Sequence, residues 1–276
     1  MAVVVSFNGR GKIVETIESL AGQVDHVHVV DNASDPESLE ILQKLSLRPG
    51  ISITWLAENK GIGCALNIGV KLAREQNYRW LLTMDQDSII GMSMVEAFAA
   101  VVDRNPDMLC LAANYSASTD NEVSSALPVK YAITSGNLIR IDVYDRVGLY
   151  DEDLFIDGVD FDFSLRVIKS GLAIYQVTDA QMQHELGDSV CGFPMLGRIH
   201  TYHSPERRYY MYRNFLYLLK EYAVEFPTFF LKLAILQILY VFTVLIFGEQ
   251  RLRSMALIGR GLFDYFRGIK GPLRKS

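Results

Sequence analysis

Several features that mark particular protein classes are scarce in this sequence. Its 276 residues include only three cysteines, at positions 64, 110 and 191, and no CxxC pair. This pattern argues against a disulfide framework and against a cysteine-based zinc site, and it favours a reducing compartment. The 27 Lys and Arg residues do not outnumber the 32 Asp and Glu residues, so the dominant basic field of a nucleic-acid-binding protein is lacking.

A secretory leader and internal repeats are missing as well. Met1 is followed directly by the apolar run Ala2–Val5, which has neither the length nor the basic start of a signal peptide. No repeat or low-complexity tract interrupts the chain. We therefore expect the catalytic part to stay in the cytosol. The hydrophobic content of 50% is enough for one large core or for a core with an appendage.

Short β-branched runs alternate with stretches of helical spacing over roughly the first 115 residues. This alternation predicts an α/β fold with a mostly parallel sheet flanked by helices and right-handed crossovers. The predicted strands are Ala2–Ser6, His26–Val30, Ile51–Leu56, Trp80–Met84 and Leu109–Ala113. The predicted helices are Lys12–Leu20, Pro36–Leu45 with Asp35 as N-cap, Ala65–Glu75 and Met92–Arg104.

The later part of the chain has a different character. Residues 114–130 are polar and predict a loop, a helix is expected over Phe161–Ser170, and a short strand over Ala173–Val177. From about His203 the chain becomes aromatic and basic on a helical repeat, and it ends in a basic tail. The composition therefore predicts a catalytic domain over residues 1–202 and a helical, membrane-associating region over residues 203–276.

Within the C-terminal region, Phe229–Phe247 is almost wholly apolar. Its length of about 19 residues is enough to cross a bilayer, with Lys232 able to snorkel to the interface. Gln237 is unfavourable in a lipid-exposed span. A helix that lies in the interface beside the basic tail, or a buried core helix, are the alternatives.

The strongest local motif is Asp85-Gln86-Asp87, which directly follows a predicted strand. Two carboxylates one residue apart can bind Mg²⁺ or Mn²⁺ together with the phosphates of a substrate. His184 is a candidate third ligand. The alternatives are a solvated acidic turn and an ordinary loop histidine.

Asp31 also follows a predicted strand, and Asn8 follows the first strand. Because ligands bind at the carboxyl ends of strands in open α/β sheets, both side chains are candidates for binding a nucleoside. Asn59-Lys60-Gly61-Ile62-Gly63, with Asn67 on the helix that follows, is similar to the glycine-bearing turns that let a backbone approach a phosphate. Simple turn chemistry is the alternative for both segments.

Three carboxylates, those of Asp157, Asp160 and Asp162, come just before or at the start of a predicted helix. One of them is a candidate general base for an acceptor hydroxyl, and stabilisation of the helix N-terminus is the alternative. Arg207 and Arg208 are candidates for binding an anionic acceptor, or they belong to an amphipathic helix surface.

Taken in order, these motifs resemble family 2 glycosyltransferases with the Rossmann-like GT-A fold, over roughly residues 2–190. The stretches that carry the resemblance are Val4–Asn8, Val30–Ser34, Asn59–Gly69 and Asp85–Asp87. The resemblance implies a nucleotide-sugar site that involves Phe7, Asn8, Asp31, Asn59, Gly63, Asn67 and Asp85, and a metal bound by Asp85, Asp87 and His184.

A finer resemblance is to the bacterial rhamnosyltransferase branch, through Leu154–Asp160, His184–Asp188 and His203–Asn214. It implies dTDP-L-rhamnose as donor and a lipid-linked or polysaccharide acceptor at the cytoplasmic face of the inner membrane. Many family members carry Glu-Asp where this chain has Val159-Asp160, so the base is assigned to Asp160, with Asp157 as a replacement for the lost Glu.

The resulting hypothesis is an inverting transferase that acts in the synthesis of a cell-surface glycan of the O-antigen or lipopolysaccharide type. In it, Asp160 is the base, and Asp157, Arg207 and Arg208 bind the acceptor. Three alternatives stay open at this point. They are the same chemistry with another donor such as a UDP-hexose, a nucleotidyltransferase of the pyrophosphorylase type, and an inactive membrane scaffold with the same fold.

Overall fold

The computed structural model describes residues 1–115, 125–184, 191–193, 197–200, 203–248 and 250–274, without the side chains of residues 184, 191–193 and 197–200. The chain forms two compact units, Met1–Glu152 with Val159–His184, and Asp153–Gly158 with Glu185–Ser276. The second unit thus includes a short segment from the first part of the sequence, and the predicted division at 202/203 stays a prediction.

The first unit contains a mixed sheet, which confirms the predicted α/β class. Its strands are β1 (Ala2–Ser6), β2 (Val27–Asp31), β3 (Ile51–Trp55), β4 (Trp80–Asp85), β5 (Ser88–Ile90), β6 (Cys110–Asn114), β7 (Ala126–Val129), β8 (Asn137–Arg140) and β9 (Ile174–His184). The order across the sheet is β3-β2-β1-β4-β8-β6-β9-β5, and β7 pairs with β9. Strands β1 to β4 pair in parallel, whereas β8 runs antiparallel to both β4 and β6.

The helices of this unit cover the sheet with their apolar faces. They are α1 (Lys12–Leu20), α2 (Pro36–Leu45), α3 (Ile62–Glu75), α4 (Met94–Arg104), α5 (Val143–Val147) and α6 (Val159–Lys169). Asp35 caps α2 by accepting a hydrogen bond from the Ser38 N–H, as predicted. Gly69 lets α3 pack closely on β1, because a Cβ there would lie 2.5 Å from the Val3 side chain.

The predicted strands and helices of the first 115 residues are confirmed to within a few residues at each end. Three described strands of the first unit, β5, β7 and β8, were not predicted. Each has only three or four residues and an antiparallel partner that is distant in the sequence, so local periodicity carries little signal for them. The predicted loop 114–130 was partly wrong, since β7 lies within it.

The second unit is mainly helical. It contains α7 (Pro205–Tyr222), α8 (Pro227–Phe247), α9 (Arg251–Phe266) and the hairpin of β10 (Cys191–Phe193) with β11 (Gly197–His200). Ser204 caps α7 by accepting from the Arg207 N–H, and Pro205 occupies the first turn. Helices α7 and α9 pack closely, since a Cβ on Gly261 would lie 2.5 Å from the Tyr209 carbonyl oxygen.

Two neighbouring residues of α7 hold the Asp153–Gly158 segment in this unit. The Asn214 Nδ2 donates to the carbonyl oxygens of Leu154, Ile156 and Asp157 at 2.8, 2.7 and 2.8 Å. The fully buried Arg213 guanidinium donates to the Gly271 carbonyl at 2.6 Å and, more weakly, to those of Asp153 and Leu154. These bonds stabilise a segment in which Phe155, Asp157 and Gly158 have positive φ.

Stability should depend on pH through His28, which is buried in β2 between the hydroxyls of Ser52 and Thr54. Burial, together with the charge of His26, lowers the pKa of His28 to about 4. A histidine whose pKa is lower in the folded than in the unfolded protein stabilises the fold fully at pH values above its unfolded pKa of about 6.5. This stabilisation is lost as the pH falls from there towards 4. We expect a loss of roughly 2 kcal/mol from this residue between about pH 7 and about pH 5.

Urea unfolding of the unaltered protein and of His28→Gln at both pH values measures the contribution of His28 to the free energy of unfolding. The variant should lose less stability on acidification than the unaltered protein. An equal pH dependence in the two proteins would contradict the assignment.

A second stability prediction concerns Asn214. Asn214→Ala removes the donor that serves three carbonyl groups in the interior of the second unit, and we expect a loss of about 2–4 kcal/mol. Lys220→Ala, on the exposed part of the same helix, is the matched control and should change stability by less than about 0.5 kcal/mol. Urea unfolding and hydrogen exchange of the Asp153–Gly158 amides report the effect. Equal stability and unchanged exchange in the two variants would show that the segment is held by other contacts.

Candidate active site

The carboxyl ends of β2, β1 and β4 meet at one edge of the sheet. The register pairs Ser6 of β1 with Asp31 of β2, and Val5 of β1 with Asp85 of β4. Two acidic residues that are more than fifty positions apart in the sequence therefore end the two strands that flank β1, at the edge where an open α/β sheet binds its ligands. This juxtaposition is the basis of the candidate site.

Asp31 is almost completely buried at this edge, with only 1% of its surface exposed. Its Oδ2 accepts a hydrogen bond from the Ser34 N–H at 3.1 Å. The second oxygen, Oδ1, is buried and has no hydrogen-bond partner among the described residues. Since a buried acceptor without a donor is costly, this oxygen is suited to a hydroxyl or N–H group of a bound ligand.

Asn8 connects the end of β1 to the start of α2. Its N–H donates to the Ser34 hydroxyl at 2.8 Å, and its Oδ1 accepts from the Asp35 N–H at 2.7 Å. The residue has a φ of 54°, in the left-handed region that asparagine tolerates. In this structure the side chain thus shapes the loop beside Asp31, and its predicted contact with a nucleoside stays a prediction.

Gln86, between the two aspartates of the acidic motif, is a site residue that sequence reasoning missed. Its amide forms two hydrogen bonds with the backbone of Phe7, accepting from the N–H at 2.8 Å and donating to the carbonyl at 2.9 Å. We call this pair of hydrogen bonds the Gln86 clamp. A Cβ on Gly9 would lie 2.3 Å from the Gln86 Oε1, so the clamp requires glycine at position 9. The clamp fixes the acidic turn against the end of β1 and leaves the Phe7 side chain 43% exposed.

Asp85 and Asp87 flank this clamp, and their backbone is held from the other side of the turn. The Asp85 N–H donates to the Ser135 hydroxyl at 3.1 Å, and that hydroxyl donates to the hydroxyl of Ser88 at 2.7 Å. Ser135 is therefore a second residue that supports the motif. In the sequence, Ser135 belongs to a short polar stretch, residues 135–137, between apolar residues.

The donor set at this turn fits a magnesium or manganese ion that is shared with a substrate. Within the described part of the chain, no group of three or more His, Cys, Asp or Glu side chains is placed to hold a metal by itself. Mg²⁺ commonly uses one or two protein carboxylates and takes its other ligands from phosphates and water. His184 lies opposite Ser88 in the β5–β9 pair, but its side chain lies outside the described atoms.

The glycine-bearing turn is organised by two asparagines. The Asn32 amide donates to the Gly61 carbonyl at 3.1 Å and accepts from the Lys60 N–H at 2.8 Å. The Asn59 Oδ1 accepts from the Gly61 N–H at 2.9 Å, in the manner of an Asx turn. Gly61, with a φ of 86°, precedes the first turn of α3. Asn32 was not singled out from the sequence, although it lies next to Asp31.

Gly63 and Asn67 contact protein groups in the structure. A Cβ on Gly63 would lie 2.9 Å from the Asp151 carbonyl oxygen, so this glycine permits close approach of another segment of the same unit. The Asn67 amide accepts from the Tyr150 N–H at 2.9 Å, and it donates to the Tyr150 carbonyl and to the Glu152 carboxylate. Both residues therefore position residues 150–152, and a nucleotide contact through the Asn67 side chain would have to break these bonds.

The three carboxylates near α6 are distinguished by their partners. Asp162 is buried and forms an ion pair with Arg166 at 2.6 Å, which gives it a structural role. Asp157 forms an ion pair with Arg207. Asp160 is partly exposed in the first turn of α6 and accepts from the Phe161 N–H at 2.9 Å.

Aromatic side chains lie near Asp160. Burial raises the pKa of Tyr115, and the nearby charges of Tyr131 and Asp160 raise it further. The Tyr131 ring packs edge-on against Phe161, with 5.0 Å between the ring centres. Tyr115 and Tyr131 expose 44% and 41% of their surfaces. Exposed rings beside a carboxylate provide apolar faces with a polar edge, and sequence reasoning did not identify either tyrosine.

The residues predicted to bind the acceptor belong to the second unit. The Arg207 Nε lies 3.0 and 3.1 Å from the two oxygens of Asp157. Burial raises the pKa of the Asp157 carboxyl, and the Arg207 guanidinium opposes that shift. The Arg208 guanidinium is buried and donates to the hydroxyls of Tyr240 and Ser254, so the structure gives it a role in packing α7 against α8 and α9 instead of an exposed anion site.

The chain is similar to glycosyltransferase sequences. The profile of the family described as Glycosyl transferase family 2 matches residues 1–148, more than half of the chain. The chain is 28% identical to the dTDP-rhamnosyl transferase RfbF of Shigella flexneri over 98% of this chain and 96% of that protein. It is 24% identical to the galactofuranosyltransferase GlfT1 of Mycolicibacterium smegmatis over 80% of this chain and 82% of that protein.

Solved structures show the same fold. A fragment of S. aureus TarS in complex with UDP-GlcNAc has a TM-score of 0.60 and 18% identity, over 97% of this chain and 80% of that one. GalNAc-T7 with UDP, GalNAc and Mn²⁺ has a TM-score of 0.59 and 14% identity, over 79% of this chain and 47% of that one. The predicted GT-A fold is confirmed, and the chain belongs to glycosyl transferase family 2, with similarity to its rhamnosyltransferase branch.

Proposed function

We propose that this protein is an inverting glycosyltransferase that moves L-rhamnose from dTDP-L-rhamnose to a hydroxyl group of a lipid-linked or polysaccharide acceptor. The observation that carries the proposal is the strand edge where the Asp85–Asp87 turn lies near a buried oxygen of Asp31 that has no partner in the described part of the chain. The rhamnose donor is supported by the similarity to RfbF along nearly the whole chain. The acceptor would belong to a cell-surface glycan of the O-antigen type.

The donor half of the mechanism uses the edge of the sheet. Asp31 would accept from the base or the ribose, and the loop shaped by Asn8 and Asn59 would surround the nucleoside. Asp85 and Asp87 would hold a divalent cation, which neutralises charge on the departing diphosphate. The Gln86 clamp keeps these carboxylates in place during the reaction, which limits the reorganisation needed in the transition state.

The acceptor half uses Asp160. Its carboxylate would accept the proton from the acceptor hydroxyl while that oxygen attacks the anomeric carbon from the face opposite the leaving diphosphate. Attack from that face inverts the anomeric configuration. The exposed rings of Tyr115 and Tyr131 are suited to pack against the apolar face of an acceptor sugar.

The remaining alternatives differ in how the site supports them. The basic loop that a nucleotidyltransferase would use for a triphosphate contains Arg10, whose guanidinium lies 3.3 Å from Glu37 and 3.9 Å from Asp35. Carboxylates at this place disfavour a triphosphate. The galactofuranosyltransferase relatives favour a second candidate, the same reaction with another donor sugar. A catalytically inactive scaffold would not need the clamped acidic turn.

We further propose that the enzyme acts at the cytoplasmic face of the bacterial inner membrane, where a polyprenyl-linked acceptor is available. Within the described residues, α8 is the one helix that is long and apolar enough to cross a membrane by length and composition. Exposed apolar side chains on α8 and basic residues on α9 support attachment of the second unit to lipid.

The base assignment can be tested with Asp160→Asn. Removing a general base is expected to lower kcat by about 10²–10⁴-fold while donor affinity stays nearly unchanged. Nucleoside diphosphate release measures kcat, and titration with donor in the absence of acceptor measures affinity. Asp103→Asn, on the exposed face of α4, is the control. Full activity of Asp160→Asn, or a comparable loss of kcat only in Asp157→Asn, would overturn the assignment.

Donor and metal are tested with a panel of dTDP-L-rhamnose, UDP-glucose, UDP-galactose, UDP-N-acetylglucosamine and GDP-mannose, supplied with lipid-linked acceptor extract. We expect diphosphate release from dTDP-L-rhamnose that requires Mg²⁺ or Mn²⁺ and stops with a chelator. Asp87→Asn should raise the metal concentration needed for half-maximal rate, because it removes one anionic ligand. Release from a different donor would overturn the rhamnose assignment and keep the reaction class. No release from any donor, in an assay where a control enzyme is active, would favour the inactive scaffold.

A further inference from the structure

The outward face of α9 has an unusual distribution of residues. We call Leu252, Ala256, Gly259, Phe263 and Phe266 the α9 stripe; these five residues follow a 4-3-4-3 spacing and all are exposed. Leu252, Phe263 and Phe266 expose 83%, 60% and 80% of their surfaces. The opposite face, which contains Ser254, Ile258, Gly261 and Asp264, is buried. Since the buried face already supplies the packing of the helix, folding does not require large apolar groups on the other side.

Basic residues follow one flank of the stripe. Arg253, Arg260 and Arg267, the arginine row, directly follow the stripe residues Leu252, Gly259 and Phe266. Successive residues are about 100° apart around a helix, so this seven-residue spacing keeps the row on one side of the stripe. The Arg267 guanidinium lies 5.6 Å from the centre of the Phe263 ring, and Arg253 pairs with Glu206.

The acidic residue of α9 is directed away from this face. Asp264 is buried, accepts from the Tyr209 hydroxyl at 2.9 Å and lies 3.7 Å from Arg260. The exposed face of the helix therefore carries apolar and cationic groups without an acidic side chain of its own. A seam that joined two copies of the chain would place like charges together, whereas an anionic lipid surface complements both the stripe and the row.

Contacts among the three helices bear on how α8 meets the membrane. Four residues separate the end of α7 from the start of α8, and three residues separate the end of α8 from the start of α9. Helices α7 and α9 nevertheless contact each other, through Tyr209 with Asp264 and through the rings of Tyr217 and Tyr265, 4.9 Å apart. If α8 crossed the bilayer, these contacts would be broken, or two arginine-bearing helices would enter the hydrocarbon at high cost.

The two faces of α8 differ in the way that an interfacial position requires. Phe230, Tyr240 and Val244 are buried, while Leu231, Ile235, Ile238 and Phe242 are exposed. Gln237 does not lie on the exposed face, because its Oε1 is buried and its backbone carbonyl accepts from the Tyr212 hydroxyl at 2.7 Å. The polar residue that made a span unfavourable in the sequence is thus directed into the protein.

We infer that the α9 stripe, its arginine row and the exposed face of α8 form a docking surface for an anionic lipid membrane, with α8 lying in the plane of the interface. This inference refines the membrane association within the proposed function and depends on that association. It does not depend on the transfer reaction, because the surface contains none of the residues assigned to donor, metal or base.

Flotation of the full chain with vesicles tests the surface without donor or acceptor. We expect binding to vesicles of phosphatidylcholine mixed with an equal amount of phosphatidylglycerol, and much weaker binding to phosphatidylcholine alone. The double variant Phe263→Ser with Phe266→Ser should weaken binding by about ten-fold or more, because two phenyl rings are no longer transferred from water into the lipid on binding. Arg253→Gln with Arg267→Gln should weaken it roughly 30-fold at low salt, at about five-fold per charge.

The matched control is Leu47→Ser with Met92→Ser, two residues of the first unit that are 85% and 97% exposed. This variant should bind vesicles as the unaltered protein does. Equal binding to the two vesicle types, or equal losses in the control and stripe variants, would overturn the docking surface. Dimerisation that the stripe substitutions abolish, together with no vesicle binding, would identify the stripe as a contact between copies and would also overturn it.

Nitroxide labels test the orientation of α8. Single cysteines at Leu231, Ile238 and Leu245, all on the exposed face, are introduced with Cys64, Cys110 and Cys191 replaced by alanine. In-plane docking predicts one shallow depth for the three labels. A central label that is deepest, with the outer two near opposite surfaces, would show a span and overturn the in-plane arrangement. Diphosphate release by the stripe variants with a soluble acceptor reports the transfer reaction separately.

Discussion

Parallel pairing of β1 with β2 on one side and with β4 on the other is the arrangement on which the candidate site depends. It brings Asp31 and Asp85 to one edge of the sheet. Every residue of β1 and β2 is buried, so a one-residue shift in register would exchange the side chains that pack on the two faces of the sheet and would also move Asp31 away from its place beside Ser6. The Gln86 clamp then ties the acidic turn to the end of β1, which converts a strand edge into a shaped site.

A buried cation organises the second unit in a comparable way. Arg213 is fully buried, and its guanidinium donates to backbone carbonyls and lies about 5 Å from the rings of Tyr209 and Tyr210. Such a charge is tolerated in the interior only when its hydrogen-bonding groups are satisfied. The Asp153–Gly158 segment supplies two of the carbonyl acceptors, those of Asp153 and Leu154, which explains why it joins the helical unit although its sequence neighbours belong to the sheet.

Much of the first unit could be predicted, because its strands and helices have strong apolar periodicity and good caps, as Asp35 shows for α2. The short antiparallel strands could not, since their partners lie far away in the sequence. The candidate site divides in the same way. Asp31 and Asp85 were found from their position after apolar runs, whereas the hydrogen bonds of Gln86 to Phe7 join residues 79 positions apart and could not be predicted. Asn67 and Arg208 were assigned to ligands, yet the structure shows them bonded to protein groups.

The α/β alternation and the order of the motifs could be recognised from the amino-acid sequence alone, and these two features identify the glycosyltransferase family. These properties depend on backbone periodicity and on residues a few positions apart. Three further properties follow from folding: which carboxylates pair with arginines, which oxygen of Asp31 is buried without a partner among the described residues, and which face of α8 is covered. Burial and ion pairing depend on groups that are distant in the chain, and folding is the step that brings those groups together.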